Sequence, residues 1–267
     1  MFSAATKMGI PTILHESNAF PGRTVNMFAK KVSRVLVGFE DTKKRLNNME
    51  NVVVTGTPTK VKRLNITYTE KLKILQSIGV TSDLPIVLIY GGSQGAQKIN
   101  DAVYELIKNK KNQKYQIIWA TGPKQYDIIK EKFSNEKIHI DELKNVKILP
   151  YIYNMDEMMN IADLLICRSG AMTITEITNA GKPAIFVPLP SKMANRQEDN
   201  AKVLQKIGAA KIILNEDINY QNLSENIDEI IADIVLLNEM GNRAFSLSQK
   251  NVEEKIYNEI KKVVSKN

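Results

Sequence analysis

Residues 85–101 read PIVLIYGGSQGAQKIND. An apolar run ends at Tyr90 and enters Gly91-Gly92-Ser93-Gln94-Gly95-Ala96, after which Ile99, Val103, Leu106 and Ile107 recur at helical spacing. A short apolar run closed by glycines and followed by an amphipathic helix is the signature of a βα unit. Glycines at such a junction permit a tight turn and close backbone approach, and the first N–H groups of the helix are open to an anion. The spacing is neither G-x-x-x-x-G-K-[ST] nor G-x-G-x-x-G. Taken alone, the turn fits an ordinary strand–helix junction as well as a phosphate site.

The same alternation extends in both directions. Strands are expected near 11–14, 35–38, 51–55, 85–90, 115–120, 146–149, 163–167, 184–188 and 210–214, with helical periodicity between most of them. Residues 219–265 read as helices without strands, and Val252, Ile256, Ile260 and Val263 share one face. This pattern predicts parallel sheets covered by helices. A stretch from Pro58 to Thr69, with little apolar patterning and Thr69-Glu70 as a helix cap, reads as a join. It divides the chain into 1–62 and 63–249, with a helix over 250–267 packing back on the first unit. Sixty residues with three short strands are too few to cover both faces of a parallel sheet, so the first unit is expected to be either a small α/β layer packed on the larger domain or a domain whose N-terminal part is absent.

Hydrophobic residues make up 43% of the 267 and charged residues 25%, as in a soluble globular protein. No apolar run approaches the ~20 residues of a membrane span, and no secretory leader is visible. The single cysteine, Cys167, excludes an internal disulfide and fits a reducing, cytoplasmic setting. No metal-ligand spacing occurs, and neither metal nor cofactor is expected. Residues 1–63 hold eleven Lys or Arg against four Asp or Glu, which is seven of the net +8. Such a face suits an anionic membrane surface, or plain solvent. Few aromatics accompany the lysines, which argues against nucleic acid.

Three further stretches carry candidate chemistry. Asp163-Leu164-Leu165-Ile166-Cys167 reads as a strand, Arg168-Ser169-Gly170-Ala171 as a turn, and Met172 onward as a helix. Glu176 on that helix can accept two hydrogen bonds from a ribose diol, or simply face solvent. Beyond Pro188-Leu189-Pro190-Ser191 comes Asn195-Arg196-Gln197-Glu198-Asp199-Asn200, in which Gln197 and Asn200 lie three apart on one helix face. Their amides both donate and accept, which suits sugar hydroxyls, although a polar helix surface would look the same. Finally Pro11-Thr12-Ile13-Leu14 runs into His15-Glu16-Ser17-Asn18. A His–Glu pair suggests acid–base work, but neighbours on a strand point to opposite faces. A structural role is expected for His15 and for His139.

Together these stretches resemble the MurG family of bacterial peptidoglycan N-acetylglucosaminyltransferases, of the two-Rossmann-domain GT-B class. The resemblance rests on IPTILHESNAFPGRTVN, VVVTGTP, YGGSQGAQKIN, DLLICRSGAMTITEITNAGKPAIFVPLP and NRQEDNAKVL, in the family's order. It implies an α/β fold of GT-B type, with a C-terminal Rossmann-type domain and an incomplete N-terminal one. It also implies inverting transfer of GlcNAc from UDP-GlcNAc to the muramyl 4-hydroxyl of lipid I, forming lipid II at the cytoplasmic face of the membrane. On the family pattern Ser93 and Gln94 approach the diphosphate and sugar, and Arg168, Ala171 and Met172 face the donor. Glu176 meets the ribose, the Ile152 backbone pairs with uracil, and Gln197 and Asn200 hold the GlcNAc. Asn18 and Lys60 lie on the acceptor side, and Glu16 is a candidate base.

The chain departs from the family in three places. The N-terminal glycine-rich turn bearing the proposed catalytic base has no counterpart, so poor turnover of lipid I by this chain is expected. Lys60 stands where an arginine is usual, and lysine cannot grip bidentately. Arg196 stands where an amide or histidine often precedes Gln197. A donor-binding subunit of a split glycosyltransferase, and another GT-B enzyme acting on a glycolipid, are the alternatives. The expected partners are UDP-GlcNAc, lipid I, an anionic membrane surface, and a missing N-terminal half or other cell-wall synthesis proteins.

Overall fold

The structure, a computed structural model, describes residues 2–80, 83–143, 145–190 and 196–265. Its strands form two parallel sheets. In the smaller, β1 (Ile13–Glu16), β2 (Arg34–Val37) and β3 (Val52–Val54) pair in the order β1-β2-β3. The larger contains β4 (Ile86–Tyr90), β5 (Gln116–Ala120), β6 (Val146–Leu149), β7 (Leu164–Cys167), β8 (Ala184–Phe186) and β9 (Ala210–Ile212). Its order is β6-β5-β4-β7-β8-β9.

β4 is buried along its whole length, which is why its sequence is a continuous apolar run rather than an alternating one. Val87 and Ile89 point into one core layer with Trp119, under the helices Gln97–Lys108 and Tyr220–Ile231. Leu88 points into the opposite layer with Ile118 and Leu165, under Met155–Ile161 and Ala171–Ala180. Ile99, Val103, Leu106 and Ile107 are all buried, as their spacing predicts. The smaller sheet has its own cluster of Leu14, Val25, Val35, Val37 and Val52.

Three local expectations are corrected. β1 starts two residues later than expected and includes His15 and Glu16, because pairing runs from Ile13 opposite Arg34 to Glu16 opposite Val37. The helix after the join is capped by Thr67, not Thr69. The Thr67 side chain accepts from the Glu70 N–H, and Glu70 reaches back to the Thr67 N–H in a reciprocal capping box. On the helix Val252–Val264, Ile260 is exposed and Glu259 is buried. Glu259 turns inward because Arg34 on β2 donates to it at 3.0 Å, with Lys262 at 2.6 Å on its other oxygen. A buried carboxylate persists only with such partners, and this pair fastens the last helix to the smaller sheet. Gly56, at φ +86°, lies against the start of that helix, where a Cβ would stand 2.7 Å from the Gln249 Cβ.

Candidate functional site

The strand order of the larger sheet reverses beside β4: β5 and β6 lie on one side and β7 to β9 on the other. In open parallel sheets, ligands bind outside the carboxyl ends of the strands at such a point. The two turns singled out in the sequence both stand there, one following β4 and one following β7, with Tyr90 opposite Cys167 in register. The glycine turn is tightly folded. Gly92, Gly95 and Gly122 all have positive φ, and a Cβ on Gly95 would stand 2.1 Å from the Thr121 carbonyl oxygen. Asn100 braces it from below, donating to Thr121 O at 2.8 Å and accepting from the Trp119 indole at 3.0 Å.

The helices that leave these turns begin at Gln97 and Ala171, and neither preceding residue, Ala96 or Gly170, supplies a side-chain cap. Their first N–H groups are therefore available to an anion. Ser93 and Gln94 are exposed at the turn; Ala171 is half-buried and Met172 exposed. Glu176 is half-buried one turn further along, and burial raises its carboxyl pKa above the ordinary 4.5. Beneath it the buried Tyr90 hydroxyl lies against the Cys167 thiol, a weak partner, with no oxygen or nitrogen partner. Burial pushes the Cys167 thiol up to about 12. Arg168 bends away from the turn: one terminal nitrogen donates to Val187 O, Pro188 O and Asn215 Oδ1 at 2.8–3.1 Å, bracing the ends of β7 and β8. Ile152 buries its side chain in the core between Tyr151 and Tyr153, whose exposed rings meet edge to face at 5.0 Å. The signal for that pair in the sequence is the Tyr-Ile-Tyr spacing, which puts residues two apart on one face of an extended segment.

Gln197 and Asn200 lie together on the helix Arg196–Lys206. Ser191 and Asn195 of the preceding stretch lie outside the described residues. Gln197 accepts from the Leu189 N–H at 2.9 Å, and its carbonyl accepts from the Ser169 hydroxyl at 2.7 Å. Asn200 is fully buried and joins the two halves of the chain. Its Oδ1 accepts from the Ala19 N–H at 2.8 Å, and its Nδ2 donates to Asn18 Oδ1 and Ser169 O, both at 3.2 Å. The 16–22 loop is organised by Glu16, which is 6% exposed. Its carboxylate accepts from Asn18 N (3.0 Å), Asn18 Nδ2 (2.9 Å) and Gly22 N (2.6 Å). Glu16 thus holds a loop. His15 faces the opposite way, donating from Nε2 to Gly56 O at 3.0 Å, which leaves Nδ1 to accept from the Ser17 hydroxyl at 3.3 Å. Lys60 is exposed on the join. Among the described residues no cluster of metal-ligating side chains occurs.

A parallel sheet whose strand order reverses beside β4, with two uncapped helix starts and two amides beside that point, defines an α/β protein with a candidate ligand site at its switch point. The model of the glycosyltransferase family 28 C-terminal domain matches residues 86–259. A UDP-N-acetylglucosamine–N-acetylmuramyl-(pentapeptide) pyrophosphoryl-undecaprenol N-acetylglucosamine transferase from Thermoanaerobacter sp. (strain X514) is 41% identical over 263 residues, covering 98% of this chain and 70% of the relative. The crystal structure of Acinetobacter baumannii MurG superposes with a TM-score of 0.78 at 28% identity, covering 98% of this chain and 70% of that one. A UDP-GlcNAc 2-epimerase from Neisseria meningitidis, 17% identical with a TM-score of 0.64 over 98% of this chain and 72% of its own, shares the fold alone. The chain belongs to the MurG family of N-acetylglucosamine transferases, within glycosyltransferase family 28.

Proposed function

We propose that the chain holds UDP-GlcNAc at the β4–β7 switch point and serves the inverting transfer of GlcNAc to the muramyl 4-hydroxyl of lipid I, which yields lipid II. The observation that carries the reading is that two uncapped helix starts follow adjacent strands at the switch point, beside the amides of Gln197 and Asn200. The diphosphate lies over Ser93, Gln94, Ala171 and Met172, where backbone N–H groups and helix dipoles offset its charge. Glu176 accepts from the ribose diol. The uracil reads the backbone at Ile152, next to the Tyr151 and Tyr153 rings. Arg168 contributes by fixing the carbonyl-lined end of β8 rather than by reaching the phosphates. Gln197 and Asn200 address the sugar, and Asn18 and Lys60 stand on the acceptor side of the cleft. Residues 1–62, with the helix Val252–Val264 against them, form the acceptor- and membrane-side unit, and residues 63–249 the donor unit. The protein works peripherally at the cytoplasmic membrane face, where lipid I presents its headgroup.

Titration of UDP-GlcNAc, UDP-glucose and GDP-mannose into the chain by calorimetry tests this reading. UDP-GlcNAc is expected to bind most tightly and GDP-mannose least. Equal affinity for all three, or none for any, would contradict it.

A further inference from the structure

In a nucleoside diphosphate sugar the sugar is bonded directly to the second phosphate. With the diphosphate at the start of the helix Ala171–Ala180, as proposed above, the sugar comes next to Ser169 and Asn200. In the structure that place is taken by the chain itself. Both N–H bonds of the Asn200 amide are engaged, one by Ser169 O and one by Asn18 Oδ1, and its oxygen receives the Ala19 N–H. Asn200 has no solvent exposure. Of these three partners, two belong to the loop and can leave with it, whereas Ser169 O is part of the donor turn.

We infer that residues 17–19 cover the sugar end of the donor site, and that Asn18 sets the discrimination between UDP and a UDP-sugar. The chemistry matches one for one. The loop gives Asn200 one donor, the Ala19 N–H, and one acceptor, the Asn18 Oδ1, and a sugar hydroxyl supplies both kinds. The loop also has the construction of a body that moves whole. Glu16 on β1 holds Asn18 and Gly22, and the Thr42 hydroxyl of the helix Glu40–Arg45 donates to Asn18 O at 2.8 Å, so the loop leaves Asn200 together with β1 and that helix and these bonds stay in place. The consequence is that sugar binding competes with loop docking while the nucleotide does not. Binding of the sugar releases residues 17–19 toward the side of the cleft where the acceptor enters.

This inference rests on the donor-site reading, and the experiment separates the two. UDP and UDP-GlcNAc are titrated separately into the full chain and into Asn18→Ala, with a thermal melt to confirm folding. Asn18→Ala removes the neutral bond from Asn200 and also the Asn18 Nδ2 bond to Glu16, and is expected to tighten UDP-GlcNAc about two- to tenfold and leave UDP unchanged. Asn18→Ser, which withdraws from Asn200 but keeps a hydroxyl for Glu16, is the second variant and is expected to behave alike. An unchanged UDP-GlcNAc to UDP ratio in both variants would overturn the inference, as would weaker UDP-GlcNAc binding, which would make Asn18 a direct sugar contact. Failure of the parent chain to bind UDP would instead overturn the donor-site reading beneath it.

Discussion

Tyr90 and Cys167 face each other as register partners across β4 and β7, at the point where the strand order of the larger sheet reverses. Both are buried, and they form the floor under Glu176. The thiolate is the reactive form of cysteine, and burial pushes the Cys167 thiol up to about 12. In the folded chain at pH 8 it is expected to resist a thiol-specific disulfide reagent and to react fully in denaturant. Rapid stoichiometric reaction of the native chain would show that this floor is open.

The glycine turn depends on two different constraints. Gly95 combines a φ of +76° with a Cβ position 2.1 Å from Thr121 O, whereas Gly92 has a φ of +87° and open space around it. Alanine at Gly92 meets backbone strain alone, about 1–2 kcal/mol. Alanine at Gly95 must in addition displace the β5 turn, and is expected to cost about 3 kcal/mol or more. Urea unfolding of the two variants checks the order, and equal midpoints would contradict it.

With Glu176 proposed on the ribose, donor affinity is expected to depend on pH. Burial raises its pKa above 4.5, so the folded chain holds this proton at a pH where the unfolded chain has lost it. The group is therefore a stability cost at neutral pH that is relieved as pH falls through the raised value. Ribose binding has the opposite dependence, because the carboxylate is the better acceptor. UDP-GlcNAc affinity is expected to fall on acidification, starting above the usual glutamate range, while Glu176→Gln binds more weakly at neutral pH and shows a flatter profile. The same variant is expected to melt higher than the parent at pH 7. Parallel affinity profiles for parent and variant would remove Glu176 from the ribose.

Most of the basic residues of the first unit are exposed, and two of them make contacts of their own. Arg34 is paired with Glu259, and Arg45 stacks over Phe20 at 4.7 Å. Lys30, Lys31 and Lys44 remain exposed. Each is worth about 1 kcal/mol near an anionic surface and is screened within a Debye length of ~10 Å at 0.1 M salt. Co-sedimentation with anionic vesicles at low salt, lost at high salt and absent with neutral vesicles, is the expected outcome. Binding indifferent to salt and lipid charge would show that these lysines are not the anchor. Among the described residues, no helix is long and apolar enough to cross a membrane.

The strands were legible because each is a short apolar run between turn residues, and β4 and the glycine turn are decided by residues adjacent in sequence. The errors fall where one specific partner decides, near or far. Thr67 caps its helix because Glu70 is three residues on, a spacing that the neighbouring Thr69 does not have. Glu259 is buried in place of Ile260 because Arg34 meets it from 225 residues away. Asn200 has the sequence of a polar helix surface and no exposure, because its partner Ala19 lies 181 residues earlier. Periodicity carries no information about such pairings. The separation of His15 from Glu16, by contrast, follows from strand alternation alone and is what the structure contains.

The central claim, that the donor lies across the turns after β4 and β7, is tested most directly by amide hydrogen exchange with and without UDP-GlcNAc. The account predicts slower exchange at residues 92–98 and 170–175, with β9 and the helix Tyr220–Ile231 unchanged. Protection confined to residues outside those two turns, with saturating nucleotide sugar bound, would contradict it.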